Sequence, residues 1–275
     1  MIQWFPGHMA KAKKEIAAVL PLVDIIFELV DARIPYSSQN PLFLDLIKNK
    51  PRLVLLTKSE MADVDITEIW VKRFEKSGAA ALAVDAVSGY NVNRIAKAVR
   101  NKLRDKIIKK QIRGMKMRPT RAMIIGIPNV GKSTLINKLV RKRATAVGNR
   151  PGVTKAQQWI RINPQLELLD TPGMLWPKIE ERTVAIHLAL TGAIKSEIVP
   201  FIDIGEYFFD FFRGCYSELF TARYGVDLNL SNQEIAKAIV TTRGIIREDY
   251  YEKAFNIVIN DFQNMRIGRI TLDRP

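Results

Sequence analysis

The sequence predicts an α/β fold, a mostly parallel sheet wrapped by helices, followed by a smaller region built only of helices. Three observations lead there. Short apolar runs alternate with amphipathic stretches as far as Asp170, the pattern of βα units. Beyond Trp176-Pro177 the apolar positions recur only at helical spacing. The chain has 275 residues and 47% hydrophobic content, enough for one large domain or two modest ones with a proper core.

Taken in order, residues 9–20 read as a helix with Lys11, Lys13 and Lys14 on its polar side, ended by Pro21. Residues 24–30 read as a strand, and Asp31-Ala-Arg-Ile-Pro35 as the loop at its carboxyl end. A helix near 40–48, a buried strand at 52–57, a helix near 67–76 and a short strand at 80–84 follow, with a turn at Ser88-Gly89. A long basic helix is expected from about 91 to 111, with Asp105 as its only acid, then a flexible basic linker at 113–119. Residues 121–127 form an apolar run of buried-strand type, and 133–140 a helix. Residues 158–162 and 166–170 read as a strand hairpin through Asn163-Pro164. Helices at 182–190, 201–212, 233–240 and 247–265 complete the chain. Their aromatic residues sit at buried-helix spacing and read as packing in preference to stacking on bases. Internal repeats and low-complexity tracts are absent.

The formal charge is +15 and the pI about 9.9, which points to a polyanionic partner. A charge run is usually a solvated face. This one is long, nearly one-signed and close in sequence to the phosphate loop described next, so nucleic acid contact is the expectation. A single cysteine, Cys215, excludes a disulfide framework and reads as core filler among aromatics. No membrane span or signal-peptide pattern is present, and a cytoplasmic location is expected.

The chemistry centres on Gly126-Ile-Pro-Asn-Val-Gly131-Lys132-Ser133, a G-x-x-x-x-G-K-S loop between strand and helix. Its glycines let the backbone wrap an anion, and the N–H groups that open the helix point at phosphates. Asn129, Val130, Gly131, Lys132, Ser133 and Thr134 are therefore nucleotide-binding candidates. Lys132 would reach the β/γ-phosphates, a catalytic role, and the Ser133 hydroxyl would hold Mg²⁺. Asp170 ends an apolar strand and is a second Mg²⁺ candidate, and Gly173 can offer its N–H to the γ-phosphate. Thr154, in Arg150-Pro-Gly-Val-Thr154, fits a switch threonine that binds nucleotide and completes the Mg²⁺ set. Nothing after Gly173 fits a base-reading loop. Before the phosphate loop, Thr57-Lys58-Ser59-Glu60 is similar to the guanine motif N-K-x-D, and Asp85 and Ala86 would back the base. The motif order is that of a circularly permuted P-loop GTPase, with the loops still gathered at the carboxyl ends of the strands.

Ile2-Gln-Trp-Phe-Pro-Gly-His-Met-Ala10, Val30-Asp-Ala-Arg-Ile-Pro35, the phosphate loop, Arg150-Pro-Gly-Val-Thr154 and Leu169-Asp-Thr-Pro-Gly173 together resemble the bacterial ribosome biogenesis GTPase A family. The resemblance covers essentially the whole chain, more loosely past Glu180. It implies a GTPase acting late in maturation of the large ribosomal subunit, with a permuted GTPase domain over 1–178 (basic linker about 97–120) and a helical rRNA-contacting domain over 179–275. It also implies partners in the 50S precursor, its rRNA and ribosomal proteins, and GTP/GDP, Mg²⁺ and K⁺ as ligands. A monomer is expected. Two departures stand out. Thr57 and Glu60 replace the usual Asn and Asp, which keeps the hydrogen-bonding types but lengthens the acidic arm. Met174 stands where ordinary GTPases place a water-orienting Gln, as it does in the family, so intrinsic hydrolysis should be slow. The family-implied substitute is catalytic His8, which on sequence alone is equally a helix-cap or RNA-contacting residue. Asn129 matches the asparagine of potassium-stimulated GTPases and is otherwise an ordinary loop residue. His187 reads as packed or solvent-facing. The rival readings are an RNA-binding scaffold with a structural nucleotide and an ATP-using phosphotransferase.

Overall fold

A computed structural model describes residues 2–3, 6–47, 49–115, 118–141, 159–195, 198–244 and 249–275. Thr154 and the rest of Arg150-Pro-Gly-Val-Thr154 lie outside the described residues. The chain opens with β1 (Ile2–Gln3) and α1 (Pro6–Val19), then β2 (Ile25–Asp31), α2 (Pro41–Ile47), β3 (Arg52–Thr57), α3 (Val64–Lys76) and β4 (Ala80–Ala83). Next come α4 (Ile95–Lys102), α5 (Arg104–Ile112), β5 (Thr120–Ile125), α6 (Lys132–Arg141), β6 (Trp159–Asn163), β7 (Leu166–Asp170) and β8 (Lys178–Ile179). The helical part comprises α7 (Arg182–Leu190), α8 (Phe201–Cys215), α9 (Ser217–Tyr224), α10 (Asn232–Thr241) and α11 (Tyr250–Gln263).

Among the described residues six strands form one sheet in the order β4-β3-β2-β5-β7-β6, and of these only β6 runs antiparallel to its neighbour. The continuous Ile/Val/Leu runs of β2, β3 and β5 are what a sheet covered on both faces requires. Every residue of β2 is buried. In the β2–β3 register Asp31 sits opposite Thr57, so the loops after these strands start side by side. A separate two-stranded ribbon pairs β1 with β8. One apolar cluster extends from the sheet residues Phe27, Leu55 and Ile124 to Phe208, Phe212, Phe220 and Phe255 of the helices. Aromatic pairs there meet edge-on, as Phe208 with Phe212 at 4.8 Å. The aromatic residues of α8 are thus core, as their spacing predicts.

Four local expectations change. The long basic helix is two helices, divided at Leu103, whose backbone leaves helical geometry (φ −100°, ψ 7°). Helix α9 had no distinct signal. Cys215 is exposed at the end of α8 and does not fill the core. The basic stretch, close to the phosphate loop in sequence, is far from it in space. Asp24, which precedes β2, pairs with Lys106, Lys110 and Arg118. Gln165, which precedes β7, accepts from Thr120 N–H and Arg100. Helix α4 therefore starts beside the carboxyl end of β4, where Asn91 donates to Ala83 O, and runs along the sheet. Its last turn and α5 are held at the amino ends of the strands, about 20 Å from the loops at the carboxyl ends, the length of a six-residue strand.

Past α11 the chain runs as a buried strap beside the loops after β2 and β3. Leu272 N–H donates to Arg33 O (2.7 Å) and Ile270 N–H to Met61 O (3.2 Å). The Thr271 hydroxyl accepts from Asp63 N–H (3.1 Å). Asp273 accepts from the Ser37 N–H and hydroxyl, both at 2.7 Å, and meets His187 Nδ1 at 2.7 Å. His187, left open by sequence, is packed.

Candidate nucleotide-binding site

The phosphate loop is shaped by close approaches that only glycine allows. A Cβ on Gly126 would lie 2.9 Å from Leu29 O of the adjacent strand, and Gly131 has φ +100°. Asn129 is left-handed as well (φ 57°), an uncommon conformation for a non-glycine residue and one that strain at functional loops favours. Helix α6 begins at Lys132, so its first N–H groups face the loop, while Ser133 and Thr134 are exposed at its N-terminus. Lys132 folds back over the loop and donates to Gly126 O (3.0 Å) and Ile127 O (2.8 Å). Burial pushes its pKa down to about 8, with the Asp170 carboxylate pulling the other way. Phosphate oxygens would be better acceptors for this ammonium than neutral carbonyls, because the bond becomes charge-assisted on both sides.

Asp170 and Gly173 close on the same loop. A Cβ on Gly173 would come within 2.7 Å of Lys132 Nζ and 3.0 Å of the Pro128 backbone, and Met174 N–H donates to Gly126 O at 3.4 Å. Burial raises the Asp170 pKa, against the charge of Lys132 and the Thr171 N–H. Asp170 Oδ1 is buried and takes no hydrogen bond from the described residues. An orphaned carboxylate oxygen is costly unless a cation satisfies it, and the Asp170–Ser133 donor set is of the all-oxygen kind that suits Mg²⁺. These residues fit the ion. The Met174 side chain packs with α1 and α2, against a cluster that includes Ile16, Phe43 and Leu169, so it turns toward apolar neighbours. It is unsuited to holding water.

The loop after β3, where base reading is expected, meets the phosphate loop through Thr57. Its hydroxyl donates to Val130 O (2.6 Å), with Val30 O at 3.0 Å, and the residue is buried. A threonine in place of asparagine thus still ties the end of β3 to the phosphate loop. Lys58 is left-handed (φ 55°) and its ammonium pairs with Asp31 at 2.9 Å. Glu60 lies half-buried in the short turn Ser59–Met61. The Asp85 carboxylate accepts from the N–H groups of Val87 and Ser88, both at 2.8 Å, so it shapes the backing loop that carries Ala86. Asn129 donates from Nδ2 to Gly192 O (2.8 Å) just after α7, and among the described residues its Oδ1 has no partner. That oxygen fits a K⁺ donor. His8 is inside α1, which starts at Pro6 and not at residue 9 as expected, and β1 is paired to β8 downstream of Gly173.

Two residues escaped the sequence reading. Asp31 is buried between Arg33 (2.8 Å) and Lys58 (2.9 Å). Burial opposes its charge, yet the two cations hold its carboxyl far below the usual range. Arg33 is itself buried and lies over the Phe262 ring. The signal available was Asp-x-Arg after an apolar strand, which sequence alone read as a loop.

The family described as 50S ribosome-binding GTPase matches residues 121–207, from β5 into α8. Ribosome biogenesis GTPase A of Bacillus licheniformis is 46% identical over 281 residues, covering 100% of this chain and 99% of its own. The Thermotoga maritima protein of the same name is 31% identical, covering 100% and 95%. The GNP-bound crystal structure of YlqF from T. maritima is similar with a TM-score of 0.65 at 27% identity, over 96% of this chain and 98% of that one. Its GDP-bound counterpart gives 0.63 at 26% identity, over 95% and 99%. Identity that runs the length of the chain, through the permuted order and the helical region alike, makes this protein a GTPase and a member of the ribosome biogenesis GTPase A family.

Proposed function

We propose that this GTPase is an assembly factor for the large ribosomal subunit. In this reading residues 1–178 form the GTP-operated unit and 179–275 a helical unit that packs on it. GTP binding draws Gly173 and Thr154 to the γ-phosphate, a surface for the precursor particle and its rRNA forms, and hydrolysis releases the protein. The observation that carries the reading is the Thr57–Val130 hydrogen bond, which joins base recognition to phosphate binding across a permuted chain. Lys132 neutralises charge developing on the phosphates. Ser133, Asp170 and Thr154 would hold Mg²⁺, and Asn129 K⁺. When bound, these cations offset charge on the phosphate oxygens. His8 orients the attacking water, because Met174 cannot.

The test is hydrolysis of GTP and of ATP in KCl buffer, with and without purified large subunits and their precursors, for wild type and His8→Ala. The expected result is GTP-selective turnover that rises with particles and collapses in the variant. Turnover with particles that is unchanged in the variant removes His8 from the mechanism. No stimulation by any particle sinks the ribosomal assignment, and equal use of ATP would favour a phosphotransferase.

A further inference from the structure

The charge is divided unevenly. Residues 1–178 carry 32 Lys and Arg against 14 Asp and Glu, whereas 179–275 carry 11 against 14. The helical part is thus slightly acidic and cannot account for the basic character of the protein. At the amino ends of the strands, the inner face of α5 is anchored by Lys106 and Lys110 on Asp24. Burial opposes the charge of Asp24, but the Arg121 N–H and the cations around it hold its pKa low. The outer face presents Arg104, Lys109 and Arg113, with Asp105 as the one acid among them. Between these cations lie Ile108, Ile112 and Met115, at 40%, 80% and 53% exposure. Three large apolar side chains so exposed within eight positions form a patch, and an exposed patch ringed by polar groups marks an interaction surface.

We propose that this α5 face is an RNA anchor that works irrespective of the bound nucleotide. It deepens the ribosomal reading above and rests on it. The cations neutralise phosphates, and the apolar residues between them contact the faces of unpaired bases, as apolar wedges do in bent nucleic acids. RNA suits the face better than a bilayer. A membrane-surface helix separates an apolar face from a charged one, whereas here cations flank the isoleucines on the same outward side. Nucleotide independence follows from placement. The phosphate loop is at the other end of β5, and the anchor's own contacts are to Asp24 and the sheet's amino edge.

The test uses the full chain, a fluorescent stem-loop RNA and purified large-subunit rRNA, titrated between about 50 and 200 mM KCl with GTP or GDP present. Lys109→Glu/Arg113→Glu should weaken binding at least tenfold and lower the salt slope by about 2, roughly one per phosphate contact. Ile108→Ser/Ile112→Ser should weaken it several-fold with the slope unchanged. Both losses should be equal in GTP and GDP, and basal GTPase activity should be retained, which reports folding. Lys72→Glu/Lys76→Glu, the same charge change on exposed positions of α3, is the control and should have little effect. An equal loss in that control removes α5 as the site while leaving RNA binding in place. A loss seen only with GTP overturns nucleotide independence. Phosphatidylglycerol vesicles bound through the isoleucines, with RNA binding unaffected, would make the face a membrane contact. No RNA binding by wild type would bring down the ribosomal reading itself.

Discussion

At the carboxyl ends of the strands Asp31 and Arg33 are buried together with the half-buried Lys58 and compensate one another, and Lys132 is buried beside Asp170. At the amino ends Asp24 holds Lys106, Lys110 and Arg118, and the cations of α5 beyond them face solvent. The first arrangement fixes a few charges at defined positions, which suits a compact ligand with a single pose. The second leaves a field of exposed cations, which suits a long polyanion met through many weak contacts. One sheet thus separates buried, paired charges from exposed ones along its strand direction.

The largest effect should come from breaking the matched end. Asp31→Ala leaves Arg33 buried without its partner and should cost about 3–5 kcal/mol in urea unfolding, the range for orphaning one member of a buried pair. Neutralising an amino-end cation such as Lys109 should change stability by less than about 0.5 kcal/mol. If the two costs prove alike, the contrast between the ends fails. Lys132→Met should weaken GTP about 100- to 1000-fold in a binding titration, the loss of charge-assisted bonds in a desolvated site. Its folding stability should not fall, because a desolvated ammonium is removed.

The pKa of about 8 for Lys132 sharpens this further. Between pH 7 and 9 the free protein loses that charge, so GTP affinity should drop about tenfold, and Lys132→Met should lack this component of the profile. For folding the sign is opposite. The folded pKa lies below the ordinary 10.5, so the unfolded chain binds more protons between about 8 and 10.5. Over that interval this group makes stability rise with pH. The smallest effect is expected far from either end. Ser231→Ala removes the capping box of α10 and should cost about 1 kcal/mol while leaving GTP affinity unchanged.

The strands, the phosphate loop and the permuted order were legible because each is a local pattern: apolar runs, glycines at fixed spacing, an acid closing β7. Thr57 was legible as the end of a buried strand, but its bond to Val130 needed the alignment of β3, β2 and β5. The Asp31–Lys58 pair was hidden because its members are separated in sequence and meet only when parallel strands align. The division at Leu103 was hidden for a similar reason, since uniform helical spacing runs through it and its buried side chain, with the Asp24 anchor, emerges only in three dimensions. Cys215 misled because aromatic neighbours in sequence belong to different faces of α8.

The strap over residues 270–273 bears on the order in which the protein is made. Translation produces β2, β3 and the phosphate loop well before Thr271 and Asp273, yet Arg33 O, Met61 O, Asp63 N–H and Ser37 all bond to that late segment. A nascent chain therefore contains the phosphate loop before the segment that braces the loops after β2 and β3 has been made. Guanine selectivity should mature after phosphate binding. A chain ended before residue 266 is expected to retain affinity for inorganic triphosphate while losing preference for GTP over ATP in competition binding.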